Sequence, residues 1–484
     1  MHSATRRGFM VGAGCLALGT GLARSGRSAS AAVLPPPPEP VAGGVVRLDL
    51  VAAERPQSLP CFGGLTLPMW TFADDTWLPV VRMTLGERLE TRFENRLTRA
   101  GEHSSIHWHG IRLPNDQDGV PYLVQPPVDP GESYTYDFTP PDTGTFFFHT
   151  HCNTVEQMGR GLMGVLIVEG DAVEPYAADV VLLLRDWRVN VEQGTFSNFF
   201  TARGASRAGS YGNLRSVNGA TEPRIGLPAG RDCRLRLING DPTRLMDVAI
   251  EGADAAIIAI DGIAVPPLPI EGWSLGSAMR IDIAVRAPRR GEVARLVDRG
   301  GAEPLLLATI AGQGASPPAS PFDPRPLRAG RIPVPDLASA ETLAFDFAAG
   351  APAVPPGDAG SGGVIGAICG SIDDFWTIDG IAWPGRDHAR IPAPLAVLER
   401  GRSYRVRIRN LSRIAHPVHI HGHHFTVLRS DRRLLPRHHA DTVLLLPEET
   451  VEAAFVADNP GDWMFHCHVI EHQETGMMGY VRVL

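Results

Sequence analysis

One pattern occurs three times along this chain, and it limits the fold more than any other feature. "LGERLETRFENRL" is followed by "HSSIHWHG", "AGRDCRLRLING" by "TRLMDVAIEG", and "RGRSYRVRIRNL" by "IAHPVHIHG". Each copy has a turn, an alternating strand closing on Asn, a short loop, and a second strand closing on Gly. The closing glycines, Gly110, Gly252 and Gly422, lie 142 and 170 residues apart, which fits one β-sandwich domain per copy. Long helical periodicity is scarce, and the high counts of Gly (52) and Pro (42) suit a chain of strands and turns. The reading is an all-β protein with domains at 45–170, 171–335 and 336–484. A linker, "LPPPPEP", lies within 33–44, and a second Pro-rich stretch covers 314–336.

The copies differ in one respect. The first and third carry His-x-His before the closing glycine, whereas the second has Ala249 and Glu251 there. A later segment repeats the contrast. "DTGTFFFHTHCN" in the first copy aligns with "NPGDWMFHCHVI" in the third, and "RRGEVARLVDRG" is the version without histidines. The outer domains therefore hold something that the middle one does not.

Side chains at i and i+2 of a strand share a face, roughly 6–7 Å apart. Four pairs follow: His107/His109, His149/His151, His419/His421 and His466/His468. Eight imidazoles, two pairs from each outer domain, suit a cluster of several metal ions where those domains meet. Parity then separates a second site. Cys467 lies between His466 and His468 and faces the other way, and His416 has the opposite parity to His419 and His421. His472 and Met477 follow on a loop. Two histidines, a thiolate and a weak methionine make a blue-copper site, joined through the backbone of Cys467 to the histidine cluster. His423 and His424 are left to structural roles, and His2, His103, His388, His438 and His439 to the surface.

Arg6 and Arg7 precede a modest apolar run and the small-residue stretch "SASAA", so residues 1–32 read as a twin-arginine export signal. The expected location is the periplasm or the exterior, with no membrane attachment after cleavage. A net charge of −8 argues against nucleic acid as a partner. Beyond Cys15 in the signal, five cysteines remain, an odd number that leaves Cys467 for chemistry. Cys61, Cys152, Cys233 and Cys369 then allow up to two disulfides.

The segments "HWHG", "HTHC", "HPVHIHG" and "HCHVIEHQETGM" resemble the multicopper oxidases: laccases, bilirubin oxidases, ascorbate oxidase and copper-resistance oxidases. The resemblance implies three cupredoxin-like Greek-key sandwiches and four copper ions; a monomer is expected. It assigns His416, Cys467, His472 and axial Met477 to one type 1 copper, and His107 and His419 to one type 2 copper. Two type 3 coppers would take His109, His149 and His468, and His151, His421 and His466. Thr150 stands where the third domain has Cys467, so a single type 1 site is expected. Substrate electrons would arrive at an exposed edge of His416 or His472 and leave in the four-electron reduction of O2 to water. Glu471 and Asp118 match family acids that supply protons near the cluster, and Asp118 also reads as a turn residue before Gly119.

Cuprous-oxidising relatives often carry a Met-rich insert, and some have an acid four residues before the first type 1 histidine. Here the 11 Met are scattered and that position is Ser412. Phenols or aromatic amines are therefore the expected reductants, with periplasmic oxidation of Cu(I) as the alternative.

Overall fold

Asn95, Asn239 and Asn410 show why the pattern recurs. The computed structural model describes residues 34–41, 43–350, 374–384 and 390–484. In it each Asn ends a strand: Arg88–Asn95, Asp232–Asn239 and Ser403–Asn410. Each side-chain amide donates to two backbone carbonyls: Glu102 and Val128, Arg244 and Leu275, Ile414 and Leu446. Each Oδ1 accepts the N–H two residues on, from Leu97, Asp241 and Ser412. A short amide thus satisfies buried backbone groups where the chain leaves one strand and turns to the next. The closing glycines all have positive φ, at 84°, 82° and 63° for Gly110, Gly252 and Gly422, a conformation that other residues adopt at a cost.

Each Asn-ended strand also pairs in parallel with an earlier strand of its own copy: Val45–Gln57, Asp179–Trp187 and Glu341–Ala349. The first copy forms two four-stranded sheets. The second and third each form a six-stranded and a five-stranded sheet. Alternate positions bury into the sandwich, as along Arg88–Asn95, where Leu89, Thr91, Phe93 and Asn95 are inside. These are the three sandwiches that the repeat implies, and the resemblance reads them as cupredoxin-like. Leu50, Phe93, Trp108 and Phe148 of the first belong to one apolar core with Val406, Val418 and Phe465 of the third. The middle sandwich has its own core, including Leu235, Val248, Ile283 and Leu296. There Ala249, opposite Val297, is buried where the outer copies place histidine.

The helices among the described residues are short, for example Thr154–Arg160 and Ile470–Gln473. None is long and apolar enough to cross a membrane. The two Pro-rich stretches meet: Ala329 N–H donates to the Pro35 carbonyl at 2.8 Å, and Leu327 is buried.

Two expectations fail here. Cys61, Cys152 and Cys233 are free buried thiols, so the disulfides allowed by the count do not form among them. The reason is separation: Cys61 and Cys233 sit in different apolar cores, and Cys152 lies beside Ser105. His438, expected at the surface, is buried against Trp273, and its Nδ1–H donates to the Pro436 carbonyl at 2.7 Å. Cys369, His388 and the twin-arginine segment lie outside the described residues.

Candidate metal centre

The strand His107–His109 pairs antiparallel with Gly144–His149, placing His107 opposite His149. The third sandwich repeats this with His416–Ile420 and Gly461–Cys467, where His419 faces His466 and Val418 faces Cys467. Period-two alternation points each His-x-His pair to one side, and the two sides meet between the sandwiches. His107 stacks on His421 with centroids 3.8 Å apart, and His109 on His419 at 3.7 Å. Each stack joins the first sandwich to the third.

The proton pattern of these rings carries the chemistry. His107, His149, His419, His421 and His466 donate Nδ1–H to oxygens of Asp118, Thr150, Asp441, Asp118 and Cys467, at 2.8–2.9 Å. His468 does the same to Ser277 Oγ at 3.2 Å, and His109 uses Nε2–H on Asp441 Oδ1 at 3.1 Å. The opposite nitrogens are left as acceptors. Those of His107, His109, His149, His419 and His468, and Nε2 of His151, are buried with no hydrogen-bond partner. The last two, His421 Nε2 and His466 Nε2, face each other at 3.2 Å although each ring has its proton on Nδ1. Lone pairs converging in a dry site are costly unless a cation takes them up. Burial, with help from neighbouring rings, pushes His109, His149, His151, His421, His466 and His468 well below the ordinary histidine range. Neutral imidazole is the form that binds metal.

Three sets of nitrogens lie within 4.8 Å of one another: His107/His419/His421, His107/His109/His149 and His151/His421/His466. The last is a set that the resemblance assigns to a single copper. The rings of His109, His149 and His468 lie 5.0–5.7 Å apart, centroid to centroid.

Behind this cluster, His416, Cys467 and His472 converge as parity requires. Cys467 Sγ is 3.5 Å from His416 Nδ1 and 3.6 Å from His472 Nδ1, and the two nitrogens are 3.1 Å apart. His472 stands on the one-turn helix Ile470–Gln473, not on a loop. Met477 is buried, and its backbone ties the site together: its N–H donates to the His472 carbonyl and its carbonyl accepts the Cys467 N–H. Burial pushes the Cys467 thiol up, so a bound cation is what would hold it as thiolate.

The expected exposed edge is absent. His416 and His472 are both 0% exposed. His416 Nε2–H donates to Ser412 Oγ at 2.8 Å, and His472 Nε2–H to the Arg207 carbonyl. Trp376 packs on both rings, with centroids 5.0 and 4.6 Å away. Neither ring therefore presents an edge to solvent.

Asp118 lies inside the histidine site, bonded to His421 through Oδ2 and to His107 through its carbonyl. Glu471 turns elsewhere. Its carboxylate accepts from Thr201 N–H at 3.0 Å and from the hydroxyl and N–H of Ser210, on a loop of the middle sandwich. Burial raises its pKa, against those bonds. Asp441, Arg280, Ser277, Arg207 and Trp376 carry no motif and join the sites only through the fold.

Residues 58–173 and 373–484 match the multicopper oxidase family. The crystal structure of a multi-copper oxidase from Pseudomonas thermotolerans aligns with 92% of this chain and 100% of that chain, at 38% identity and a TM-score of 0.81. This chain belongs to the multicopper oxidase family. Multicopper oxidase MmcO of Mycobacterium tuberculosis is 29% identical over 98% of this chain and 95% of that protein. Laccase-1 of Botryotinia fuckeliana is 27% identical over 86% of this chain and 78% of that protein. Proteins named copper resistance protein A are also relatives. As a multicopper oxidase, the protein is a copper-dependent oxidoreductase that oxidises a reductant with O2 as acceptor.

Proposed function

We propose that this multicopper oxidase is laccase-like and couples one-electron oxidation of phenols or aromatic amines to reduction of O2 to two waters. The observation that carries the copper sites is the set of buried imidazole nitrogens left as unpaired acceptors. Four coppers fit the donors: type 1 on His416, Cys467, His472 and Met477; type 2 on His107 and His419; type 3 on His109, His149 and His468, and on His151, His421 and His466. Copper bound there supplies one-electron acceptance at the thiolate site and four-electron reduction of O2 at the histidine site.

The chain's own residues do the rest. Cys467 continues through the backbone into His466 and His468, so the two sites share one strand and a short covalent path. Asp118 orients His107 and His421 through its side-chain oxygens. Glu471, next to His472 in the chain, has its pKa raised by burial and meets the hydroxyl of Ser210, which suits a carboxyl that passes protons. Domain limits near 170 and 335 are supported by the strands of each sheet pair, which fall within 45–169, 179–313 and 341–483. Export by Arg6 and Arg7 to the periplasm or beyond rests on the sequence motif.

The choice of reductant rests on Ser412. It meets His416 directly, with a neutral hydroxyl where a cation-attracting acid would stand. Oxygen uptake with a phenol, an aromatic amine and Cu(I) tests it. Faster turnover of the organic reductants is expected; faster Cu(I) oxidation would make this a cuprous oxidase, as the kinship with copper resistance protein A allows.

A further inference from the structure

The middle sandwich offers no donor to the histidine site, yet it sends a buried cation there. Arg280, on the strand Arg280–Arg286, is 0% exposed. Its Nη1 and Nη2 donate to Asp441 Oδ1 and Oδ2 at 2.8 and 2.6 Å, a bidentate pair. Its Nε donates to the Thr145 carbonyl of the first sandwich at 3.2 Å. One guanidinium thus touches all three sandwiches.

Asp441 in turn holds two stacked histidines by opposite nitrogens. Its Oδ1 accepts His109 Nε2–H at 3.1 Å, and its carbonyl accepts His419 Nδ1–H at 2.9 Å. The nitrogens left as buried acceptors are His109 Nδ1 and His419 Nε2. Asp261, also 0% exposed, closes the ring: Oδ1 accepts the Arg280 N–H at 2.9 Å and Oδ2 the Thr442 N–H at 3.1 Å. Space here is fully used. A Cβ on Gly110 would lie 2.5 Å from both Arg280 Nη2 and Asp441 Oδ2. A buried ion pair is weak as a source of stability, because desolvation cancels much of its attraction. Its bidentate geometry, which fixes where a carboxylate points, is what an apolar pair could not supply.

We propose that Arg280 is a positioning residue of the histidine site, which aims the Asp441 carboxylate so that His109 keeps its proton on Nε2 and presents Nδ1 to the metal, while the Asp441 backbone carbonyl holds His419 in the opposite tautomer. This rests on the reading of the eight histidines as copper ligands. It gives the sandwich without copper ligands a part in building the site.

The test titrates copper into copper-free wild type, Arg280→Met and Arg280→Lys. It reads copper bound per chain, the near-ultraviolet band of the histidine site, the blue band of the Cys467 site, and the unfolding midpoint before copper is added. Lysine keeps the charge and cannot make the two parallel bonds. If Arg280→Met does not fold, Arg280→Lys carries the test alone. In Arg280→Lys, copper affinity at the histidine site should fall about 10- to 100-fold while the blue band persists. Copper affinity at the histidine site equal to wild type in Arg280→Lys would overturn the proposal, because charge alone would then suffice. A wild type that loads no copper at the histidines would overturn the copper reading itself, and the inference with it.

Discussion

Asp118 Oδ2 lies 2.8 Å from His421 Nδ1, a bond that crosses from the first sandwich to the third. The Asp118 carbonyl meanwhile accepts from His107 Nδ1, on the ring that stacks on His421. Asp441 repeats the arrangement from the other side, holding His109 and His419. Two acids, one from each outer sandwich, therefore orient the two stacked pairs. Asp118→Ala should lower copper affinity at the histidine site about 10- to 100-fold and leave the blue band intact, as read by copper titration with absorption spectra. Unchanged affinity would mean that the carboxylate does not orient these rings.

Gly110 follows His109 directly, with φ 84°. Gly110→Ala forces an L side chain into left-handed backbone and against Arg280 and Asp441. Unfolding of the copper-free protein in urea should show a loss of about 1–3 kcal/mol. A change within experimental error would mean that the Arg280–Asp441 pair yields easily.

Glu471 makes a pH prediction. Burial raises its folded pKa above the ordinary 4.5, so the fold favours the protonated form. Its contribution to stability is full below the ordinary carboxylate value and is lost as pH rises through the folded pKa. Glu471→Gln removes that dependence. Measured by urea unfolding from about pH 4 to about pH 8, the copper-free variant should gain on wild type as pH rises. Parallel curves would place the carboxyl in a solvated setting.

Asn239 sits in the middle sandwich, where its amide and Oδ1 make three bonds to backbone. Asn239→Ala leaves those buried groups unpaired and should cost more than about 1 kcal/mol in the same unfolding experiment. Unaltered stability would mean that the recurring Asn is not what locks each copy.

Both candidate metal sites could be read from the sequence because strand alternation is local. Parity alone separated Cys467 from His466 and His468, and the repeated Asn and Gly marked the same turn in each sandwich. What the sequence hid depends on contacts between distant segments. Arg280 meets Asp441 across 161 residues, and His472 meets Arg207 across 265. Nothing in the local pattern around Ser412 or Arg207 shows that they cover His416 and His472. His438 lies in a polar, basic run, "RRLLPRHH", yet packs against Trp273 from another sandwich. The cysteine count raised disulfides that the separate cores of Cys61 and Cys233 do not permit.

The central claim is that one strand, Gly461–Cys467, together with His468 just beyond it, serves two copper sites from opposite faces. Absorption spectra and copper counts on copper-loaded wild type and Cys467→Ser test it most directly. Wild type should be intensely blue with about four coppers per chain, and Cys467→Ser colourless with about three, its near-ultraviolet band retained. A colourless wild type, or a Cys467→Ser protein that stays blue, would contradict the account.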